Sequence, residues 1–506
     1  MDIDDLPAVD ADVLVVGAGP TGLMAALVLA KRGVSAVVLD GKAGPTRESR
    51  ALAVQARTME IYDQLGLVDE VLAGAHPATS FQVRPETGPT GFSFAAAQQD
   101  ATRYPGMHIF EQSRTEELLS SALTAAGSGV RWGHRLVDLV DGPDQRLVAL
   151  VDGPDGLSTV RARWCIGADG AASRVRRLLD VPFEGVTDDA TFWVADLRGV
   201  SGLPDQAVSA RFGDTTFAVF FPLGPDGHAR LISMADGDTV DQESALAGAR
   251  SDLGLDYTAV DWFSTYRVHH RVAARFRKGS TFLAGDAAHV HSPVGGQGMN
   301  TGLQDAHDLA LLLADVAQGH LTVAALDRYE RERRPVALRL VRATDRAFGV
   351  VARRGRGTAL LRRGIRGAVA ALGPLVLGSS LGARPGGWLG QYRIRYHVVP
   401  AGTPTPAWAA DPVVGLRLPP VGDNADPLRA LTWQLHTYGG PAARPDVPAW
   451  VDGPLDLGPD PRGTLRPDRA YLVRPDGFVA ASLPVHDSVV DGPTLRAALD
   501  AHEVVR

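Results

Sequence analysis

Three aspartates that follow short apolar runs and adjoin a glycine are the residues of this sequence best suited to hold a sugar–phosphate ligand. They are Asp40, Asp169 and Asp286. A carboxylate in such a position can accept hydrogen bonds from sugar hydroxyls, and the adjacent glycine lets backbone N–H groups approach a ligand closely. The three segments that carry these acids, although far apart in the chain, together predict one binding site.

The segment around Asp286 is the most informative of the three. The apolar run at 281–284 predicts a strand that ends in the acid and leads into a glycine-rich turn, and residues 301–317 have the apolar spacing of a helix. The amino end of a helix favours negative charge, so the turn can bind an anionic group through its backbone amides. Its residues of interest are Gly285, Asp286, Pro293, Gly296, Gly298, Met299 and Asn300.

A second glycine motif lies near the start of the chain and predicts a dinucleotide site. Residues 12–16 read as a buried strand, the motif GxGxxG follows, and an apolar helix extends to about Arg32. A second strand at 35–39 then ends in Asp40, close to the spacing of about 20 residues expected for an acid that holds the adenosine ribose. The motif consists of Gly17, Gly19, Pro20, Thr21 and Gly22.

The third segment is Cys165 to Gly170, with Ser173 and Arg176 downstream. Here too a strand ends in Asp-Gly and leads into a helix. Taken alone, this pattern is that of an ordinary strand-to-helix turn as much as that of a ligand site.

The three segments, in this order and at these separations, resemble the class A flavoprotein monooxygenases. These are the FAD-dependent aromatic hydroxylases typified by p-hydroxybenzoate and phenol hydroxylases, and the chain is especially similar to the bacterial polyketide-tailoring members. Further matches are Arg50-Ala51 with Arg57-Thr58, Gln112-x-x-x-Glu116, and the run from Tyr329 to Pro335. The resemblance covers most of residues 10–345 and returns at 471–480.

The resemblance implies tightly bound, non-covalent FAD and a transient NADPH or NADH. Asp169-Gly170 would border both cofactors, and Arg50, with Arg47 as the alternative, and Pro293 would lie beside the reactive flavin as catalytic residues. No second strand–GxGxxG–helix unit occurs in the sequence, so nicotinamide is expected to bind on the FAD-binding domain itself. The implied cofactor-binding residues are Gly17, Gly19, Pro20, Thr21, Gly22, Asp40, Gly41, Lys42, Arg50, Gln112, Asp169, Gly170, Arg176, Gly285, Asp286, Pro293, Gly296, Gly298, Met299 and Asn300.

The sequence departs from the family pattern at two places. The acid after the second strand is usually Glu followed by a basic residue, but here Asp40 is followed by Gly41, which leaves Lys42 as the candidate for the missing adenosine contact. After the glycine-rich turn the family often has Asp-Ala-x-Asn, whereas this chain has Asp305-Ala306-His307-Asp308. Neither change is expected to prevent flavin binding.

We expect an α/β fold with three parts. A Rossmann-like FAD-binding domain would be discontinuous, formed by 1–75, 106–180 and 276–395 with a helical extension. The β-rich, turn-broken region 181–275, with 76–105, predicts an inserted antiparallel sheet that binds the substrate. Residues 396–506 are proline-rich and resemble the thioredoxin-like C-terminal domain of larger family members, but contain no cysteine.

Composition agrees with a large intracellular enzyme. The chain has 506 residues, 45% hydrophobic content and a formal charge of −7, which gives no reason to expect a nucleic-acid partner. The single cysteine, Cys165, excludes an intramolecular disulfide. The acidic start lacks an apolar signal core, and the uncharged stretch 367–383 is broken by glycines and shorter than the ~20 residues a span needs. We therefore expect a cytoplasmic protein with no membrane partner, and a homodimer is one possible assembly.

The activity implied by the resemblance is insertion of one oxygen from O2 into a phenolic or polycyclic aromatic substrate through a C4a-hydroperoxyflavin. Baeyer–Villiger oxidation of a polycyclic ketone by the same flavin is the alternative, because sequence does not reveal pocket geometry. A non-catalytic flavin- or ligand-binding protein is a third hypothesis.

The substrate pocket is the part of the site that sequence specifies least. Aromatic side chains in the β-rich region are candidates, although each has an ordinary role in a sheet core. No carboxylate or cysteine clusters with the paired histidines at 269–270 or at 289 and 291, so no metal is expected. The candidate substrate residues are Trp193, Phe212, Phe220, Phe221 and His228, with Trp262, Tyr266 and His108 also considered.

Overall fold

The computed structural model describes residues 6–46, 51–83, 91–142, 146–213, 216–235, 240–292, 295–352, 390–399 and 402–505. Three residues predicted to lie beside the flavin, Arg47, Arg50 and Pro293, fall outside these ranges, as does the uncharged stretch 367–383.

The fold is mixed α/β, as the sequence predicts. Its strands are β1 (Ala8–Val16), β2 (Ala36–Asp40), β3 (Ala53–Gln55), β4 (His76–Ala78), β5 (Ser80–Val83), β6 (Gly91–Ser93), β7 (Met107–Ile109), β8 (Val130–Trp132), β9 (Arg135–Asp141), β10 (Leu147–Gly153), β11 (Gly156–Gly167), β12 (Phe183–Arg198), β13 (Ala207–Phe212), β14 (Phe217–Pro222), β15 (Ala229–Ala235), β16 (Ala259–Ala273), β17 (Arg277–Lys278), β18 (Thr281–Leu283), β19 (His289–Val290), β20 (Gln434–Thr437), β21 (Asp452–Asp456), β22 (Arg469–Val473), β23 (Val479–His486) and β24 (Val489–Val490). Its α-helices are α1 (Pro20–Lys31), α2 (Ala56–Gln64), α3 (Val68–Gly74), α4 (Phe94–Gln98), α5 (Gln112–Ala125), α6 (Arg174–Leu178), α7 (Gln242–Leu253), α8 (Gly298–Ala317), α9 (Asp327–Ala352) and α10 (Gly492–Ala501). Short 3-10 helices cover Gly285–Ala287, Val323–Leu326, Ala407–Ala409 and Asp426–Ala430.

A parallel sheet carries the three aspartates. Its central strands run in the order β18-β11-β1-β2-β8, with every neighbouring pair parallel. The ends of these strands that lead to the glycine turns are buried, as expected where both faces of a sheet are covered: 13–16 in β1, 37–39 in β2, 164–167 in β11 and 281–283 in β18. Asp40, Asp169 and Asp286 come at or just after the carboxyl ends of β2, β11 and β18, so they converge on one edge of the sheet.

A second, largely antiparallel sheet runs in the order β19-β16-β12-β15-β14-β13-β5-β6. Its two faces differ in what covers them. Helix α7 covers one face, where it packs against the β12 side chains Trp193, Ala195 and Leu197. Because side chains alternate along a strand, Val194 and the residues that pair with it point to the other face.

The C-terminal sheet has the order β21-β20-β22-β23-β24. Strand β20 is parallel to β21 and antiparallel to β22, and β22 is antiparallel to β23. The strand–turn–strand pattern predicted at 470–480 is therefore present as β22 and β23. Apolar residues of this sheet belong to the same continuous core as those of the parallel sheet.

A buried ion cluster joins the C-terminal sheet to helices α8 and α9. Arg474 Nη1 lies 2.7 Å from Glu332 Oε1, and Arg474 Nη2 lies 3.1 Å from Asp308 Oδ1; Asp476 also accepts from this guanidinium. Burial and the neighbouring carboxylates Asp476 and Glu332 raise the pKa of Asp308. Arg474 is the central positive charge that holds these three acids together.

Within the part of the chain that the structure describes, none of the helices is both long and apolar enough to cross a membrane.

Replacing Arg474 with alanine should strongly destabilise the fold, because it leaves three buried carboxylates without their shared cation. We expect a loss of about 3–5 kcal/mol in the free energy of unfolding, measured by urea denaturation. The matched control is Arg466→Ala, which removes a half-exposed pair with Asp468 and should change stability by less than about 1 kcal/mol. Equal effects of the two variants would show that the buried cluster contributes no more than a surface pair.

Candidate cofactor and substrate site

A cavity of about 900 Å³ lies between the carboxyl edge of the parallel sheet and the face of the antiparallel sheet opposite α7. It brings together side chains or backbone from all three aspartate segments. The predicted residues that line it are Gly17, Gly19, Pro20, Thr21, Asp40, Gly41, Lys42, Gln112, Asp169, Gly170, Phe221, Asp286, Gly296, Gly298 and Met299.

The glycine loop after β1 is shaped by close backbone contacts. Gly17 has φ +105°, and a Cβ there would lie 2.3 Å from the carbonyl oxygen of Ala168. A Cβ on Gly22 would lie 1.9 Å from the carbonyl oxygen of Gly17. Gly17 thus fits the turn and the contact with β11, whereas Gly22, on the first turn of α1, permits the helix to pack on the loop and does not line the cavity.

Asp40 braces this loop. Its Oδ2 accepts a hydrogen bond from the Ala18 N–H at 2.7 Å, and its Oδ1 accepts one from the Lys42 N–H at 2.8 Å. Each carboxylate oxygen can accept a second bond, so Asp40 can hold a ribose hydroxyl while it fixes the glycine turn.

Asp169 has one oxygen engaged and one without a partner. Its Oδ2 accepts from the Arg174 and Val175 N–H groups at 2.6 and 3.1 Å, which anchors the start of α6. Its Oδ1 is buried and has no hydrogen-bond partner among the described residues. Buried polar atoms are nearly always paired, so this oxygen is suited to a ligand hydroxyl.

Arg176 is placed differently from the prediction. Its guanidinium donates to the Ala287 carbonyl at 2.8 Å and to the Ala171 carbonyl at 2.7 Å, and lies over the ring of Phe183. It is buried. Arg176, expected to bind a cofactor, thus links the segment after β11 to the segment after β18 and does not line the cavity.

Asp286 projects into the cavity from the 3-10 turn after β18. Its side chain is solvent-accessible within the cavity, yet protein surrounds it on the other sides. This surrounding protein raises the pKa of the carboxyl above its ordinary value, with His289 acting in the opposite direction. A hydrogen bond from a bound polyhydroxyl chain would offset that desolvation.

The turn that carries Asp286 is held by Asp305 on α8. Asp305 Oδ2 lies 2.6 Å from His289 Nε2 and accepts from the Gly285 N–H at 3.2 Å, while Oδ1 accepts from Arg333 Nε at 2.7 Å. Burial opposes ionisation here, but Arg333 and His289 hold the pKa of Asp305 below its ordinary value. Asp305, which matches the family pattern, therefore supports the turn that carries Asp286, whereas the departure from that pattern lies at Asp308.

Asn300 and Gln112 support the cavity from two other sides. Asn300 Oδ1 accepts from the Gln55 N–H at 2.8 Å, and its Nδ2 donates to the Gly296 carbonyl at 2.8 Å. Asn300 is buried and fixes the glycine-rich turn without lining the cavity itself. Gln112 lines the cavity, and its Nε2 donates to Glu116 at 2.9 Å.

The antiparallel sheet supplies the apolar wall. Strand β16 contributes Trp262, Ser264, Tyr266 and Val268, which alternate along the strand, and β12, β14 and β15 contribute Val194, Phe221 and Ile232. Among the candidate substrate residues, this wall contains Phe221, Trp262 and Tyr266.

Four predicted substrate residues lie elsewhere. Trp193 and Phe220 are buried on the face that α7 covers, because each is one residue out of step with the cavity-facing positions. Phe212 packs in a cluster with Phe217 and Met234. His228 lines a separate small pocket, and the other histidine considered, His108, does not line the main cavity.

Sequence reasoning missed several residues of the cavity. Arg135 and Leu136 at the start of β9 line it near Gly41, and His291 lines it as well. His291 Nδ1 donates to the Ser292 carbonyl at 2.8 Å, and burial lowers the pKa of His291 to about 4. The period-two spacing of Trp262, Ser264 and Tyr266 indicates that these three side chains share one face of a strand, but it does not specify which face meets the cavity. No group of three or more metal-binding side chains occurs among the described residues.

A parallel sheet with glycine-containing turns along its carboxyl edge is the arrangement of nucleotide-binding α/β proteins. Residues 10–344 match the FAD binding domain family, and the chain belongs to that family.

Known proteins similar to this chain include monooxygenases and hydroxylases. The 6-methylpretetramide 4-monooxygenase of Streptomyces rimosus is 38% identical over 351 residues, which are 68% of this chain and 62% of that relative. The chain thus spans less than two thirds of that relative's length. Among solved structures, the anhydrotetracycline hydroxylase OxyS from Streptomyces rimosus is 29% identical with a TM-score of 0.77, covering 97% of this chain and 99% of its own. The flavin-dependent monooxygenase PieE, solved with FAD and substrate, is 26% identical with a TM-score of 0.78 and 98% coverage of both chains.

Three features of the cavity suit it to FAD. Gly17 and Gly19 carry no side chain and so leave their backbone open to a ligand. The buried Asp169 Oδ1 lacks a partner among the described residues, and Asp286 lines the cavity. Asp40 at the end of β2 provides the acceptor expected for the adenosine ribose.

Replacing Asp286 with alanine should weaken FAD binding without weakening the fold. The carboxylate lines the cavity and would bond to the ligand, so we expect the dissociation constant of FAD to rise by roughly 10- to 100-fold, the effect of losing a charged hydrogen bond. Fluorescence titration of the apoprotein with FAD measures it. The control is Asp152→Ala, at an exposed acid outside the cavity. If the Asp286 variant purifies with full flavin, the assignment of Asp286 as an FAD-binding residue is wrong.

Proposed function

We propose that this protein is an FAD- and NAD(P)H-dependent monooxygenase that inserts one oxygen atom from O2 into a phenolic or polycyclic aromatic substrate. The observation that carries the proposal is that one cavity joins the dinucleotide-binding edge of the parallel sheet to the apolar wall of the antiparallel sheet. The names of the relatives support it, since they include monooxygenases acting on pretetramide and anhydrotetracycline.

FAD, when bound, would supply reduction by NAD(P)H, activation of O2 at its C4a carbon and oxygen transfer. The chain would bind its pyrophosphate at Gly19 and the amino end of α1, its adenosine ribose at Asp40, and its ribityl chain at Asp286 and Gln112. The amino end of α8, at Gly298, would favour negative charge on the reduced flavin ring.

The wall of the antiparallel sheet would orient the substrate. Phe221 and Trp262 offer flat apolar contacts to an aromatic ring, and Ser264 and Tyr266 offer hydroxyl groups to its polar substituents. Enclosure by these side chains would limit water near the reacting centre. Arg50 and Pro293 stay in the proposal as residues beside the flavin on the strength of the family resemblance.

We also propose the division into an FAD-binding domain, a substrate-binding sheet and a thioredoxin-like C-terminal domain from residue 396. The order β21-β20-β22-β23 with only β20 and β21 parallel, followed by α10, supports the last assignment. Because this region contains no cysteine, its role would be structural and not redox.

Purified protein should show a flavin absorption spectrum, and a phenolic polycycle should stimulate its oxidation of NADPH. A product heavier by one oxygen, with label from ¹⁸O2, would establish the monooxygenase. NMR of that product would separate a ring hydroxyl from the lactone of a Baeyer–Villiger reaction. The proposal would be contradicted if the protein binds flavin but oxidises neither NADPH nor NADH with any substrate of the panel. That result would favour a binding protein.

The two faces of the antiparallel sheet should respond differently to substitution. We expect Trp262→Ala to raise the KM of an accepted aromatic substrate by roughly tenfold, with flavin content unchanged, because it removes a ring contact worth about 1–2 kcal/mol. Trp193→Phe, at the α7-covered face, should lower the melting temperature and leave KM within about twofold. The assignment of faces is wrong if the KM effect belongs to Trp193.

A further inference from the structure

Arg135, the first residue of β9, lies against Gly41 at the dinucleotide end of the cavity. A Cβ built on Gly41 would be 3.3 Å from Arg135 Nε and 3.7 Å from its Cβ. Two backbone hydrogen bonds fix this approach: the His134 N–H donates to the Asp40 carbonyl at 3.0 Å, and the Gly133 N–H donates to the Lys42 carbonyl at 2.7 Å. A side chain at position 41 would therefore press against this arginine, which would have to shift.

The backbone does not require glycine at position 41. Its φ lies outside the left-handed region, unlike that of Gly17, so a side chain would be tolerated in conformational terms. What glycine provides at this position is room. That room is filled by the stem and Nε of Arg135, which comes from a strand more than 90 residues later in the chain.

Lys42, the candidate from sequence for the missing basic contact, is engaged elsewhere. Its Nζ donates to Thr46 Oγ1 at 2.8 Å and lies 3.9 Å from Asp40 and 4.0 Å from Glu116. The ammonium is thus balanced by two carboxylates of the protein. By contrast, Arg135 is exposed, and its guanidinium has no hydrogen bond or ion pair with any residue that the structure describes.

We propose that Arg135 is a binding residue for the adenosine half of FAD, in place of the basic side chain that position 41 lacks. The inference rests on the proposed FAD site. Arg135 lines the cavity together with Asp40 and Leu136, at the end where the carboxylate of Asp40 would hold the ribose. A guanidinium is planar and weakly hydrated, so it stacks on aromatic faces such as that of adenine more readily than an ammonium does.

The test compares FAD with FMN, which lacks the adenosine half. We expect Arg135→Ala in the full-length apoprotein to raise the dissociation constant of FAD by roughly tenfold. The dissociation constant of FMN should stay the same. Titration followed by flavin fluorescence measures both. Arg161→Ala is the matched control, since Arg161 is half-exposed, pairs with Asp10 and does not line the cavity.

Two further variants test whether an arginine at position 41 can replace Arg135. Gly41→Arg alone should weaken FAD binding, because its side chain competes with Arg135 for the same space. In the double variant Gly41→Arg/Arg135→Ala, the new arginine has that space, and the dissociation constant of FAD should return to within about threefold of the wild-type value. A double variant as weak as Arg135→Ala would overturn the claim that the two positions substitute for each other.

The outcomes separate this inference from the proposed function. Unchanged FAD affinity in Arg135→Ala, or equal losses for FAD and FMN, would overturn the adenosine contact while wild-type protein still binds FAD. Wild-type apoprotein that binds neither flavin would instead refute the FAD site on which the inference rests.

Discussion

The buried carboxylate of Asp305 is the interaction on which the arrangement of this molecule depends. It receives hydrogen bonds from the turn that presents Asp286, from His289 and from Arg333 on α9. Burying a carboxylate costs several kcal/mol unless charge and hydrogen bonds compensate, and here Arg333 and the two other donors do so. Arg333 also donates to the hydroxyl of Tyr396, so a single charge links the cofactor turn to the start of the C-terminal region.

Helix α8 carries three buried carboxylates that each pair with an arginine. Asp305, Asp308 and Asp315 lie on it, and all three are buried. Asp308 pairs with Arg474 of the C-terminal sheet, and Asp315 accepts from Arg32 on the other side. The same helix directs its amino end towards the cavity, so packing of the C-terminal sheet helps to fix the cofactor-binding edge even though that sheet does not line the cavity.

Sequence alone predicted the features that follow from local rules. The glycine loop at Gly17 and the acids at strand ends were readable because turn geometry requires particular residues at fixed positions. The face of the antiparallel sheet was not readable. Trp193 and Val194 differ by one step of alternation, and which of them faces the cavity is decided by where α7 packs. The approach of Arg135 to Gly41 could not be predicted from sequence either, because it depends on how residues 133–135 pair with residues 40–42.

The backbone itself sets the distance between the two halves of the site. Strand β19, which follows the cofactor turn, pairs with β16 through Val272 and His289. Strand β16 also carries Trp262 and Tyr266 of the apolar wall. The turn that would hold a flavin and the wall that would hold a substrate therefore belong to one hydrogen-bonded ladder. Oxygen transfer needs reacting atoms within a few ångströms, and a ladder fixes such a separation more firmly than flexible side chains can.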